Sequence, residues 1–226
     1  MLFTLFFQNT NAVAQTVSKE LSLLDLLAKG GPVIIVMGIL SFIALYIFVE
    51  RFIVIQKAGK IENTFMNKIK EQVVKGDIKS ARMICQSKNT PIAHMIDKGL
   101  SRIGRPVNEI SQNMENIGRL EVANLEKRTG FLGIISGAAP MLGLLGTVIG
   151  MIRTFYNMSQ NTTGGVEISQ LSGGVYEAMI NTAAGLGLGF AAYLGYNLLV
   201  SMTNRTVNKM EAFTIEFIDI LQDPMQ

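Results

Sequence analysis

Residues Thr129 to Ile152 read TGFLGIISGAAPMLGLLGTVIGMI, with no charged side chain between Arg128 and Arg153. As a helix rising about 1.5 Å per residue, this run is roughly 36 Å long, enough to cross a hydrocarbon core of about 30 Å. An ordinary anchor is apolar all round; this run is sorted by face. At about 100° per residue, Ser136, Pro140, Gly143, Thr147, Gly150 and Thr154 fall within about 80° of arc. Ile134, Leu145, Ile149 and Ile152 lie opposite. A hydroxyl near mid-bilayer needs a protein, water or backbone partner. The pattern predicts a spanning helix with lipid or a neighbour on one side and something more polar on the other.

Only 16% of the 226 residues are charged and 49% are hydrophobic, against about 25% charged in soluble domains. Three uncharged apolar runs account for the deficit, so the expected class is an all-α integral membrane protein with three spanning helices. A net charge of +3 is too small to point to nucleic acid. Cys85 is the single cysteine and His94 the single histidine. That excludes an internal disulfide and leaves little for a zinc site. No phosphate loop, nucleophile elbow or metal-spaced cluster is present. The chain offers no enzyme constellation and no cofactor site.

The chain reads in seven parts. Residues 1–31 form an N-terminal segment. Its Met1–Phe7 stretch is apolar but short, and Ala12-Val13-Ala14 has the small-x-small shape of a cleavage site without the basic start of a signal peptide. Ser18 to Lys29 reads as an amphipathic interfacial helix, stopped by Gly30-Gly31-Pro32. Residues 32–55 are the first span, apolar on every side and read as an anchor without chemistry. Residues 56–128 form a helical domain punctuated by Gly76-Asp77 and Asn89-Thr90-Pro91. Residues 129–156 are the second span and 157–176 a Gly/Ser/Thr-rich loop, within which Asn161-Thr162-Thr163 matches a glycosylation acceptor. Residues 177–204 are the third span, and 205–226 an amphipathic helix with Met210, Phe213, Phe217 and Leu221 on one side. The stripe Ile110, Met114, Ile117, Glu121, Leu125 runs toward the second span without a breaker. Unbroken from Asn108 to Tyr156, that helix has 49 residues and a length of about 73 Å.

Arg51 to Arg128 holds fifteen Lys or Arg against eight Asp or Glu, and Tyr156 to Tyr176 has no Lys or Arg. Positive residues near span ends stay cytoplasmic. The expected topology is N-terminus outside, 51–128 inside, 157–176 outside and C-terminus inside.

The third span is also two-faced. Glu177, Ala178, Asn181, Thr182, Gly185, Gly189, Ala192 and Tyr196 cover about 140° of arc, with Ile180, Leu186, Phe190, Leu194 and Leu198 opposite. Gly185-x-x-x-Gly189 and Gly187-x-x-x-Ala191 permit close helix approach. Four polar residues stand out as candidates for an ion path. Glu177 is the acid attached to the body of these spans, with Arg153 as a candidate partner; a solvated span end is its bland reading. Thr147 and Thr182 share faces with glycines, although a membrane threonine often only bonds its own helix. Asn181 carries an amide that needs a partner in lipid. Pro140 lacks the N–H that would bond the Ser136 carbonyl, so it either kinks the helix for packing or turns that carbonyl to the polar face. No Asp, Lys or His lies at mid-depth, so a carboxylate that titrates in a proton pathway has to come from another chain.

The stretch from Pro140 to Met151, PMLGLLGTVIGM, resembles the P-x-x-G-L-x-G-T-V-x-G segment of the ExbB/TolQ/MotA proton-channel family, closest to ExbB. Glu177-Ala178 through Thr182-Ala183, with Gly185-Leu186 and Tyr196-Asn197, is similar to that family's third span; Gly76-Asp77, Ala81, Cys85 and Pro91 resemble its cytoplasmic domain. The resemblance implies a homo-oligomeric ring, a pentamer, in the inner membrane of a Gram-negative cell. The ring surrounds single spans of an ExbD-like partner that supplies a protonatable Asp. Proton flow then drives motion that energises a TonB-like transducer and transport at the outer membrane. It places Thr147 and Thr182 on the pore and Glu177 near its periplasmic end; helical spacing adds Asn181 to the candidate proton path and Ser136, Pro140, Gly143, Gly150, Gly185 and Gly189 to the packed pore face. Two departures bear on pore shape: Ala191 stands where many relatives have proline, and Asn181 where alanine is common. A TolQ-like or gliding-type motor subunit is the alternative inside the family. A non-conducting membrane scaffold is the alternative outside it.

Overall fold

The computed structural model describes residues 31–62, 64–160 and 168–222. The expectations for residues 1–30 and for the glycosylation acceptor at Asn161 lie outside the described residues, while Gly31, read as part of a helix stop, opens the first described helix. Within them the chain is all-helical: α1 (Gly31–Ala58), α2 (Phe65–Val74), α3 (Ile78–Gln86), α4 (Pro91–Leu100), α5 (Val107–Glu126), α6 (Thr129–Gln160) and α7 (Ile168–Gln222). Three of these, α1, α6 and α7, are long and apolar enough to cross a membrane. Their exposed faces are greasy, as a lipid solvent requires: Phe42 and Tyr46 on α1, Ile134 and Ile152 on α6, Leu186 and Phe190 on α7.

The helices reach further than the sequence pattern predicts. α6 continues to Gln160 and α7 already begins at Ile168, inside the stretch read as a loop. Gly173-Gly174 reads as a turn, yet both residues are helical. The reason is packing. Gly174 backs directly onto Thr154, and a β-carbon there would collide with the Thr154 hydroxyl. The third span then runs without a break through Arg205 to Gln222, 55 residues in all.

The described chain forms two compact units, one from residues up to Ile43 with Ile135–Ala191, the other from Ala44–Ile134 with the chain from Ala192 on. The second is a helical bundle built from amphipathic stripes. Asp77 caps α3: its carboxylate accepts from the Ser80 N–H at 3.1 Å and the Ser80 hydroxyl at 2.6 Å. Gly76 precedes it at φ +74, where a side chain is strained. Thr90 caps α4 with Pro91 in its first turn. The core gathers Phe65, Met66, Ile69, Ala81, Cys85, Ile92, Ile96, Ile110 and Met114 with Met210 and Phe217 of α7. Contact is close at Gly99, where a β-carbon would lie 2.6 Å from Met114 Sδ and 2.7 Å from Phe217 Cε1. Arg82 and Asp97 pair across α3 and α4 at 2.9 Å.

Burial pushes the Cys85 thiol up to about 12, with a further push from the Asp97 charge. The thiolate is the reactive form. Cys85 in the folded protein is therefore expected to resist a maleimide at neutral pH and to label fully once denaturant opens the bundle. Rapid labelling without denaturant would contradict the packing.

The structure breaks the 49-residue helix expected from Asn108 to Tyr156. α5 stops at Glu126; Lys127 is extended at φ −52, ψ 131, and Arg128 adopts φ 68 before α6 begins. No glycine or proline marks this joint. Tertiary contacts from the end of the first span hold it. The Glu50 carboxylate accepts from Arg128 Nη1 at 3.1 and 3.2 Å and from Arg51 Nη2 at 2.9 Å. Arg51, only 7% exposed, donates from Nη1 to the Asn124 carbonyl at 3.3 Å, in the last turn of α5. A left-handed non-glycine residue costs roughly 1–2 kcal/mol. Arg128→Gly should therefore melt higher than Arg128→Ala, reversing the usual helix-propensity order, because both lose the ion pair and only glycine relieves the strain. Alanine equal to or better than glycine would mean that the joint straightens easily.

Candidate ion path

The small residues of α6 and α7 form a seam inside the first unit. A β-carbon at Gly143 would lie 2.9 Å from the Asn181 backbone oxygen and 3.2 Å from Gly185 Cα. At Gly146 it would lie 2.9 Å from Asn181 Cβ, and at Gly150 3.5 Å from Ala178 Cβ. On the other side, Gly185 would meet the Ala139 oxygen at 2.7 Å and Gly189 would meet Pro140 Cγ at 2.6 Å and the Ser136 oxygen at 3.0 Å. Ascending α6 numbers pair with descending α7 numbers, so the helices are antiparallel. Ser136, Pro140, Gly143, Gly150, Gly185 and Gly189 are thus brought together, against one another. Gly187 faces open space and Ala191 is exposed, so only the Gly185 and Gly189 pair of small residues works in this seam.

Asn181 is turned fully into the seam. It is 2% exposed, and its Oδ1 accepts no hydrogen bond from a described protein group. Gly146 opposes it. Thr147 follows Gly146 and Thr182 follows Asn181, so each is rotated about 100° from a seam residue in the same sense. In an antiparallel pair, equal rotations emerge on the same edge. Both threonines are half-exposed there. The Thr147 hydroxyl donates to the Leu144 carbonyl at 2.6 Å, which leaves its oxygen lone pairs facing outward. Thr182 lies level with Gly143, whose added β-carbon would be 3.3 Å from Thr182 Cα. That puts it about one turn along the seam from Thr147.

Glu177 stands elsewhere. It lies about 140° round α7 from Thr182, half-buried, beside the start of α1: a β-carbon on Gly31 would come 2.6 Å from its Oε1. No ion pair joins it to Arg153 among the described residues. In angular order around α7 come Glu177, Asn181 and Thr182, with the orphaned amide oxygen between the carboxylate edge and the threonine edge.

Sequence reasoning missed Gly146, Ala139 and Gly31. Gly146 is the residue that makes room for Asn181, and its signal was present: it stands four residues before Gly150 and seven after Ala139, at helical spacing. Gly31 carried no signal beyond being one of two adjacent glycines.

Three apolar helices, two of them tightly packed with a threonine edge, define an all-helical protein of the membrane-spanning class. The description that fits further is specific. A family model described as the MotA/TolQ/ExbB proton channel family matches residues 87–212, more than half of the chain. The chain belongs to that family. It is 30% identical over 192 residues to an ExbB-like biopolymer transport protein of Synechocystis, covering 84% of this chain and 75% of the relative. It is 38% identical over 94 residues to the biopolymer transport protein exbB1 of Vibrio cholerae, 42% of this chain and 39% of that one. It is also 33% identical over 101 residues to the Tol-Pal system protein TolQ of Haemophilus influenzae, covering 45% and 43%.

Proposed function

We propose that this chain is the ring-forming subunit of an inner-membrane proton channel that converts proton motive force into mechanical work. The observation that carries the reading is the shared edge of Thr147 and Thr182, half-exposed, on a seam too tightly packed to conduct by itself. In a ring of copies, this edge faces the central axis. There an ExbD-like single-span partner brings the Asp that this chain lacks at mid-depth. The hydroxyl oxygens accept from water or the protonated carboxyl as it passes. Each 100 mV across the membrane is worth about 2.3 kcal/mol per charge moved, so a few protons suffice for a large displacement of the partner. No bond to this chain is made or broken. Glu177 lies at the outer end of the path and Asn181 lies between Glu177 and the threonines.

The proposed topology follows the charge distribution, with the N-terminus periplasmic and the basic 56–128 segment and C-terminus cytoplasmic. The output is energising of TonB-dependent outer-membrane transport through a TonB-like transducer. A Tol-type role is the second reading, favoured by the similarity to a TolQ protein. The test is the native mass of the complex extracted gently from its own membrane. A ring, a pentamer, of this chain holding a smaller single-span protein is the expected result. A monomer or dimer without a small membrane partner would leave the proton without its carboxylate and favour a non-conducting scaffold.

A further inference from the structure

The first span reads as a plain anchor from its sequence, yet its opening residue touches the acid of the third. α1 starts at Gly31, in the left-handed region at φ +66, and its added β-carbon would lie 2.6 Å from Glu177 Oε1 and 3.7 Å from Glu177 Cδ. Both constraints act at once. Only glycine takes this backbone conformation without strain, and only a residue without a side chain leaves the carboxylate where it is. Pro32 follows and fixes the first helical turn, where its missing N–H costs nothing. Beyond this contact α1 presents exposed apolar side chains such as Ile35, Ile39 and Phe42. The carboxylate thus sits on the edge of the α6–α7 seam that α1 borders, away from the threonine edge.

We infer that Gly31 is the positioning residue for Glu177, and that the start of the first span forms one wall of the ion entrance. This rests on the proton-channel reading for its function, though not for its geometry. Any side chain at position 31 displaces the carboxylate from the place where it meets ions arriving from the outer surface. The first span then has a task besides anchoring. It fixes the acid at the mouth, while the half-exposed threonine edge is left for the partner.

The test uses the full chain with its co-purified partner in lipid vesicles. Gly31→Ala is expected to lower partner-dependent proton uptake several-fold with the native mass of the complex unchanged. Glu177→Gln with Gly31→Ala should lose no more than Glu177→Gln alone, since both act through one group. In ¹³C-labelled protein the Glu177 carboxyl signal should move in Gly31→Ala. Should Gly31→Ala fail to assemble, Gly31→Asn, a residue that tolerates the left-handed region, keeps the overlap with less backbone strain and is measured in its place. Wild-type uptake, additive losses or an unmoved carboxyl signal in the variant that assembles would each overturn the inference. Absence of uptake by the wild-type complex would instead sink the proton reading. The carboxyl signal then still decides whether Gly31 positions Glu177.

Discussion

Replacing Gly185 by valine is expected to leave almost no assembled protein in the membrane. At this position the obstruction is backbone rather than a flexible side chain. A β-carbon would lie 2.7 Å from the Ala139 oxygen, 2.8 Å from Gly143 Cα and 3.1 Å from the Gly143 nitrogen. None of these can move without parting α6 from α7. Overpacking a core usually costs roughly 1–3 kcal/mol because side chains give way; here they cannot, so the cost exceeds that range. Lipid offers no compensating hydrophobic drive, because association of spans depends on close packing. The measurement is the yield and native mass of the extracted complex against Gly187→Val, a control whose added β-carbon meets open space. Equal yields of the two variants would show that the seam is not as described.

The second large effect concerns conduction with assembly preserved. Thr147→Val with Thr182→Val keeps shape and removes both hydroxyls from the shared edge. Neither threonine is buried in the seam, and the Thr147 hydroxyl bonds only its own helix. Packing should therefore survive. Partner-dependent proton uptake should fall by roughly tenfold or more, about 1.4 kcal/mol on the barrier. Asn181→Ala provides the contrast, since its amide lies inside the seam with an oxygen that no described group serves. A complex that assembles normally and conducts like wild type in the double threonine variant would show that the shared threonine edge is not the proton path.

Much of the fold was legible. The uncharged runs gave three spans, and of the two stripes Ile110, Met114, Met210 and Phe217 share one core while Leu125 is buried outside it. On the second span, the arc read from the sequence and the packed seam are centred differently. The arc from Ser136 to Thr154 excludes Gly146, which stands about 40° outside it. The seam includes Gly146 and Ala139, and this shift moves Thr147 from the middle of the face to its edge. Periodicity finds a face but does not say which neighbour covers it. The break at Lys127-Arg128 was invisible for another reason. Its cause lies at Glu50 and Arg51, more than seventy residues away, and neither Lys127 nor Arg128 is a helix breaker. Gly173-Gly174 failed in the opposite sense: Gly174 lies close against Thr154 while Gly173 meets open space, and together they look locally like a turn.

The most direct measurement is proton uptake into vesicles under an imposed membrane potential, comparing this chain reconstituted with the single-span partner proposed for it against this chain alone. Uptake is expected only with both present, because the seam is tightly packed and the titrating carboxylate is proposed to come from the partner. Equal uptake with and without the partner, or none in either case, would contradict it.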